Sequence, residues 1–264
     1  MVVFAGQGDA RRSLELLWRA GTGPRTAPGP KPALSVDRIV RAAVEIADAE
    51  GMAALSMRAV GERLGRTAMA LYTYVPSKTE LIDLMDDHVL GELREDYDLT
   101  GGWRPALSEL AHELWTFHLR HPWLLQVSPA RPVLGPGEFR MQEIVLRVLF
   151  TTGLPAARVR RIVSTLLTVV RGAVQIAAEA RQAARETGLS DEDWWRSRSA
   201  VLAELVPDLV TRYPQVARLG EDAGPPPAQV PYLEHEARLS LEAGVELLAD
   251  GIAAALTREA SAPR

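Results

Sequence analysis

The chain has 264 residues, 47% of them hydrophobic and 24% charged, which suffices for one large domain or two smaller units with a substantial core. It contains no cysteine, which excludes a disulfide framework and a cysteine metal site. The formal net charge of −4 argues weakly against a nucleic-acid binder, but residues 1–80 carry 11 Lys/Arg against 8 Asp/Glu and the remainder carries 19 against 26, so a basic head precedes an acidic body.

No apolar run approaches the roughly 20 residues of a membrane span. The opening MVVFAGQGDARR lacks a basic stretch followed by an apolar core, so a signal peptide is not expected. The expectation is a cytoplasmic protein without membrane contact.

Residues 10–20, ARRSLELLWRA, form a short amphipathic segment with Leu14, Leu17 and Trp18 on one side. Residues 21–33, GTGPRTAPGPKPA, hold four prolines and three glycines, through which no helix or strand can run. Residues 1–33 are therefore expected to be a flexible N-terminal extension. A basic arm is the functional alternative, with Arg25 and Lys31 following the DNA backbone or entering the minor groove.

Ser35 to Glu50 reads as an amphipathic helix closed by Gly51. Ile39, Ala43, Ile46 and Ala47 share one face, and Asp37 favours its N-terminus. Leu55 to Lys78, LSMRAVGERLGRTAMALYTYVPSK, is the organising stretch. Ser56 caps a helix from Met57 to Leu64, and Gly65 can take the left-handed conformation that ends it. Thr67 caps a second helix, Ala68 to Tyr74. Val60, Leu64, Leu71 and Val75 point inward, leaving Thr67, Ala70, Thr73 and Tyr74 outside. A helix of about two turns with small outer residues suits the major groove, where an Ala or a Thr methyl can meet a thymine methyl. Tyr72, Tyr74 and Lys78 can donate to phosphates, which sets register rather than sequence. Ser77 and Glu80 form a capping box for the next helix. By spacing alone, an ordinary helical hairpin in a core remains open.

Residues 34–90 resemble the DNA-binding domain of the TetR (tetracycline-repressor) family of transcriptional regulators. The matching pieces are LSVDRIVRAAVEIADAEG, MAALSMRAVGERLG and ALYTYVPSKTELIDLM, of which Leu71-Tyr72-Thr73-Tyr74-Val75 with Ser77-Lys78 is the most specific. Arg66 departs from the small apolar residue that members often carry after the turn glycine, and it can add a phosphate or base contact. The resemblance implies a backbone-phosphate contact at Ser35. Together the candidate DNA-binding residues are Lys31, Ser35, Ser56, Met57, Arg58, Arg66, Thr67, Ala68, Ala70, Tyr72, Thr73, Tyr74 and Lys78.

Thr79 to Leu93 is expected as a fourth helix with Leu81, Leu84, Met85, His88 and Val89 inward, completing a DNA-binding domain at 34–96. The body, 103–264, reads as helix after helix with no strand pattern, so the fold class is all-α. Pro105 opens one helix and Pro122 ends it. A proline-rich loop at 128–137 precedes a helix from Phe139 to Phe150. Ala156 to Thr187 follows, stopped by Gly188, and Ser190 with Asp193 caps a helix running to about Val206. Residues 213–231, with five prolines, are expected as a loop, and Leu233 to Leu256 as the last helix.

His112, His118 and His121 do not share one helical face, and no His-Glu-x-x-His, phosphate loop, G-x-S-x-G or G-x-G-x-x-G occurs. No metal, cofactor or catalytic residue is expected. Leu241, Val245, Leu248, Ile252 and Ala255 follow a heptad seam, and Ala173, Ala177 and Ala180 offer a small-residue stripe. Two such helices per chain could form a four-helix bundle between two copies, or both seams could be satisfied within one chain. A dimer is favoured, because a helix-turn-helix gains specificity from two half-sites of a palindromic operator.

An aromatic-rich helical body suggests a pocket between helices for a small hydrophobic or aromatic effector. The candidate lining is Trp115, His118, Trp123, Phe139, Trp194 and Trp195, with Arg171 and Gln175 as polar partners. The expected function is a ligand-responsive, dimeric DNA-binding repressor, not an enzyme. A helical-bundle enzyme using the three histidines and a helical scaffold that no longer reads DNA are the alternatives.

Overall fold

The computed structural model describes residues 3–20, 34–221 and 231–261. Arg25 and Lys31, and the basic arm they would form, lie outside the described residues.

Two N-terminal elements, β1 (Val3–Phe4) and α1 (Ala10–Ala20), precede the head, whose helices are α2 (Val36–Glu50), α3 (Met57–Arg63), α4 (Ala68–Tyr72) and α5 (Lys78–Leu90). Each head helix starts on a hydroxyl that accepts an otherwise orphaned backbone N–H. Ser35 takes Arg38 N, Ser56 takes Ala59 N at 3.0 Å, Thr67 takes Ala70 N at 3.4 Å, and Ser77 takes Thr79 N and Glu80 N at 3.0 and 3.3 Å. Each such cap contributes about 1 kcal/mol. The Ser77 hydroxyl also meets the Glu80 carboxylate. Ile39, Ala43, Ile46 and Ala47 are buried together with Val60, Leu71, Val75, Leu81 and Met85.

α5 departs from an amphipathic pattern. Leu81, Ile82, Leu84, Met85 and Val89 are buried, and so are Asp83 and Asp87. The reason is its position: α2 covers one side, and α1 and the body helix α7 (Pro136–Phe150) cover others.

The expectation of a flexible extension at 1–33 is corrected over residues 3–20. Ala5 and Leu17 are buried. Gly6 N–H donates to Asp83 at 3.0 Å, which supplies the enclosed carboxylate with a donor. β1 pairs in parallel with β2 (Val127–Ser128), in register Val3–Val127 and Phe4–Ser128, so a chain read as free of strands contains one short ladder. Trp18 Nε1 donates to the Leu134 carbonyl at 3.1 Å. The N-terminal segment therefore straps α5 to the body.

The body contains α6 (Trp103–Arg120), a 3-10 turn (Pro122–Gln126), α7, α8 (Ala156–Thr187), α9 (Asp191–Leu205), α10 (Leu209–Arg212), α11 (Pro214–Glu221) and α12 (Tyr232–Ala260). Pro105 sits in the first turn of α6, two residues inside its start, where no intrahelical N–H is needed. Gly188, at φ +67°, ends α8, and Ser190 accepts Asp193 N to start α9. The expected loop at 213–231 is corrected: Pro214 occupies a helix start, and α11 runs to Glu221. α8 is long and apolar enough by composition alone to cross a membrane, contrary to the sequence expectation. Its buried positions, Val159, Ile162, Leu166, Val170, Val174 and Ala177, pack among α6, α7 and α12.

α8 and α12 lie lengthwise against each other. Gly244 permits the approach, since a Cβ there would stand 2.8 Å from Val169 Cγ1. This pairing corrects the expected dimer seams. Ala173, Ala177, Ala180, Leu241, Val245, Ile252 and Ala255 are buried within the chain, and Leu248 is half-buried against the same core. Their heptad spacing reports an intramolecular helix pair.

Candidate functional site

The reading surface is the α3–α4 unit. Gly65 takes φ +63°, and Arg66 N–H returns to the Gly61 carbonyl at 2.8 Å, closing the turn. Gly61 itself is buried under that turn, and a Cβ on it would lie 2.8 Å from Arg66 O and 3.2 Å from Ala68 N. Arg66, Thr67, Tyr72, Thr73, Tyr74 and Lys78 are all exposed on this side of the head.

Several candidates are placed differently. Met57 is buried, so it packs the head and presents nothing to DNA. Ala68 and Ala70 are half-buried against the core, although read as outward. Between them Met69 is 76% exposed, the most prominent side chain of α4, and sequence reasoning missed it. The signal was available: if Leu71 is inward, Met69 lies 200° away on a helix. Arg58 is exposed but bonded to Glu62 at 2.7 Å. Ser35 and Ser56 use their hydroxyls as caps. α4 ends at Tyr72, with Thr73 and Tyr74 in the turn that follows.

Head and body meet at a polar joint. His121, buried at the end of α6, contacts Asp48 of α2 through Nδ1 at 2.9 Å and Glu92 through Nε2 at 3.2 Å. Trp123 Nε1 donates to the same Asp48 oxygen at 2.8 Å. Burial works against a charged imidazole, but the hydrogen bonds to Asp48 and Glu92 outweigh it and hold the His121 pKa above its usual value. A second joint links α5 to α7: Asp87 accepts Glu138 N–H at 3.0 Å, and Gly135 and Gly137 make room for its carboxylate and backbone.

Beneath these joints lies a cavity of about 620 Å³, within the range of small-molecule sites. Its wall takes Asp86 and Leu90 from α5, Leu114, Phe117 and His118 from α6, Met141, Gln142 and Leu146 from α7, and Val163, Leu167 and Arg171 from α8. Arg171 is committed to the wall: it donates to the Leu125 and Val127 carbonyls at 2.7 and 2.9 Å, and more distantly to Leu124. Burial, with the nearby Arg171 charge, pushes the His118 imidazole down to about 4, despite its bond to the Leu114 carbonyl at 2.8 Å. His118 is therefore neutral, with Nδ1–H donating and Nε2 left as an acceptor.

Of the eight candidate ligand residues the cavity brings together His118 and Arg171. Trp115 lines a separate cleft of about 520 Å³ with Arg181, Glu234 and Arg238. Trp123 is committed to Asp48. Phe139 lies outside against Trp18, with ring centroids 6.0 Å apart. Gln175 bonds Glu179, and Trp194 and Trp195 stack edge to face on the exposed α9. Sequence reasoning missed the acidic contribution of α5 altogether. The three histidines separate: His112 faces Glu242 at 3.8 Å, His118 lines the cavity and His121 holds the joint. Among the described residues no group of three or more His, Asp or Glu could hold a metal.

Two sequence-family models match this chain. "Bacterial regulatory proteins, tetR family" covers residues 39–85, and "Tetracyclin repressor-like, C-terminal domain" covers residues 98–256, more than half of the chain. The chain belongs to the TetR family. It is a DNA-binding transcriptional regulator with a helix-turn-helix head and a larger C-terminal helical domain. The HTH-type transcriptional repressor DrrR1 of Streptomyces coeruleorubidus is 44% identical over 219 residues, covering 83% of this chain and 80% of its own. An HTH-type transcriptional regulator of Saccharopolyspora erythraea is 35% identical over 144 residues, covering 54% of this chain and 61% of its own. The TetR family protein ActR from Streptomyces coelicolor, solved in complex with actinorhodin, superposes with a TM-score of 0.64 at 28% identity, over 86% of this chain and 98% of that one. Apo ActR gives the same TM-score at 25% identity, over 86% of this chain and all of that one.

Proposed function

We propose that the protein is a homodimeric repressor that binds a palindromic operator through α3 and α4 and leaves it when a small, flat, largely apolar effector occupies the cavity. The observation that carries this reading is the double use of α5. The helix begins at the capping box that follows the reading turn, and eight residues later its Asp86 lines the cavity. A ligand that prefers one placement of α5 must shift the placement of the head, and linkage makes the effect reciprocal. ActR holds actinorhodin, and a cavity of this size is compatible with an effector of that general kind. The protein acts in the cytoplasm and performs no catalytic step in this reading.

The second copy is proposed to pack on the outer faces of α8 and α12 rather than on the buried seams. Leu239, Ala243, Leu247 and Ala254 share the exposed face of α12, and Thr165, Thr168, Gly172 and Ile176 that of α8. Gly172 and Gly251 would meet nothing within the chain if they carried a Cβ. Exposed helical glycines cost about 1 kcal/mol each, which a closely approaching partner helix can offset. α9 buries no residue within the chain, and its Trp194, Trp195 and Leu205 favour an additional partner contact.

Fluorescence anisotropy with DNA from upstream of the protein's own coding sequence, at two salt concentrations, tests the reading. Nanomolar, salt-dependent binding to a palindrome, far tighter than to scrambled DNA, is expected. Equal and weak binding to both would remove the operator-reading role.

A further inference from the structure

Resting on the reading of the cavity as the effector site, we propose that it selects a cationic effector, an apolar ring system carrying a basic amine, whose ammonium is taken by Asp86.

The polar groups of the inner wall differ in what they have left to offer. Arg171 spends its guanidinium on the carbonyls of the 3-10 turn and β2, and His118 is neutral and bonded to Leu114. Arg131 and Arg160 line the cavity but are exposed to solvent. Asp86 lines the cavity and makes no hydrogen bond or ion pair with any described residue, whereas the neighbouring carboxylates are satisfied. Asp83 accepts Gly6 N–H, Asp87 accepts Glu138 N–H, and Glu138 accepts Leu134 N–H at 2.7 Å. Asp86 is half-buried at the cavity wall, so its partly desolvated carboxyl gains from a donor that a ligand brings.

The field at Asp86 points to a cation. Asp83 and Asp87 flank it on α5, Glu138 faces it from α7, and Arg171 from α8 opposes them. Burial first, then Glu138, Asp87 and Asp83, push the Asp86 carboxyl up to about 7. A ligand ammonium would relieve both the desolvation and the repulsion, stabilising the carboxylate. A ligand carboxylate would add a further like charge. The remaining lining from α6, α7 and α8 is mostly apolar and accommodates a ring system.

Three naphthalene probes of matched size separate the possibilities: 1-naphthylmethylamine, 1-naphthalenemethanol and 1-naphthaleneacetate, titrated into the full chain by calorimetry from pH 6 to pH 8. The amine is expected to bind about tenfold more tightly than the alcohol at pH 8, and the acid most weakly. Since the carboxylate form is required, the preference should grow as pH rises through about 7. Asp86→Asn should abolish the preference for the amine over the alcohol and flatten the pH dependence of that preference. Alcohol binding without a preference for the amine, or a preference that survives Asp86→Asn, would overturn the assignment while leaving the cavity as a ligand site. Binding by none of the three would remove both.

Discussion

Trp123 Nε1 donates to Asp48 across 2.8 Å, joining residues 75 positions apart and tying the body to the support helix of the reading head. His121 shares the same carboxylate oxygen at 2.9 Å. One acidic side chain on α2 thus receives two donors from the segment that follows α6, and Trp123 is almost fully buried. The head is anchored to the body at this joint as well as through α5.

Removing Asp48 should therefore cost more than one hydrogen bond. Asp48→Ala leaves the Trp123 indole N–H and His121 Nδ1 without their partner, while Nε2 keeps Glu92, and each lost partner costs about 1–3 kcal/mol when buried. The expected fall in Tm is roughly 3–10 °C for a chain of this size. The pH dependence follows from the raised His121 pKa. Stability from that group is fully present below the ordinary imidazole value of 6.5 and is lost as pH rises through the higher folded value. Thermal melts from pH 6 to pH 9 should show a decline in the native protein and a flatter profile in Asp48→Asn. An unchanged slope would separate His121 from the joint.

The turn of the reading unit depends on a residue that never touches DNA. A Cβ on Gly61 would press into the Arg66 carbonyl and the backbone of Thr67 and Ala68. Gly61→Ala is expected to destabilise the head by about 1–3 kcal/mol and to weaken operator binding through misplacement of α4. Circular dichroism melts and anisotropy on the same preparation check both. Full DNA affinity in this variant would mean that the turn tolerates a different geometry.

Contacts to bases and to phosphates should separate by their salt dependence. Arg66→Gln is expected to weaken operator and scrambled DNA alike and to lower the salt slope by about one. Met69→Ala, at the 76% exposed tip of α4, should leave the salt slope intact and reduce discrimination between operator and scrambled DNA by about 1 kcal/mol. An unchanged preference after Met69→Ala would place base reading on Thr73, Tyr72 and Tyr74.

Local chemistry made the head legible before the fold was known. Ser35, Ser56, Thr67 and Ser77 each cap a helix because a hydroxyl one residue before an apolar period has a single local use. The same locality explains the errors. The heptads of Leu241, Val245 and Ile252 report that a helix has a partner, and α12, with these residues buried, packs lengthwise on α8 of the same chain. Aromatic content suggested Trp123, Phe139, Trp194 and Trp195 for the cavity, yet Trp123 serves the Asp48 joint and Phe139 packs outside on Trp18. Asp86 escaped notice because its importance comes from Glu138, Arg171 and His118, which the fold brings together from three other helices.

The outer faces of α8 and α12 supply the last prediction. Leu247 is 72% exposed and Ile176 48%, and both lie opposite the seams that pack inside the chain. An exposed leucine in an intact helix contributes little to the folding of one copy, but at the centre of a helical interface it excludes water from its partner. Leu247→Glu should leave the helical circular dichroism signal unchanged and shift the protein from dimer to monomer in sedimentation velocity. Each monomer would keep a complete reading unit, so affinity for a single half-site should persist. Affinity for the palindrome should fall by roughly tenfold or more, because the second head no longer benefits from tethering to the first. A variant that remains dimeric would move the interface away from α12, and the exposed Trp194 and Trp195 of α9 would be the next surface to substitute.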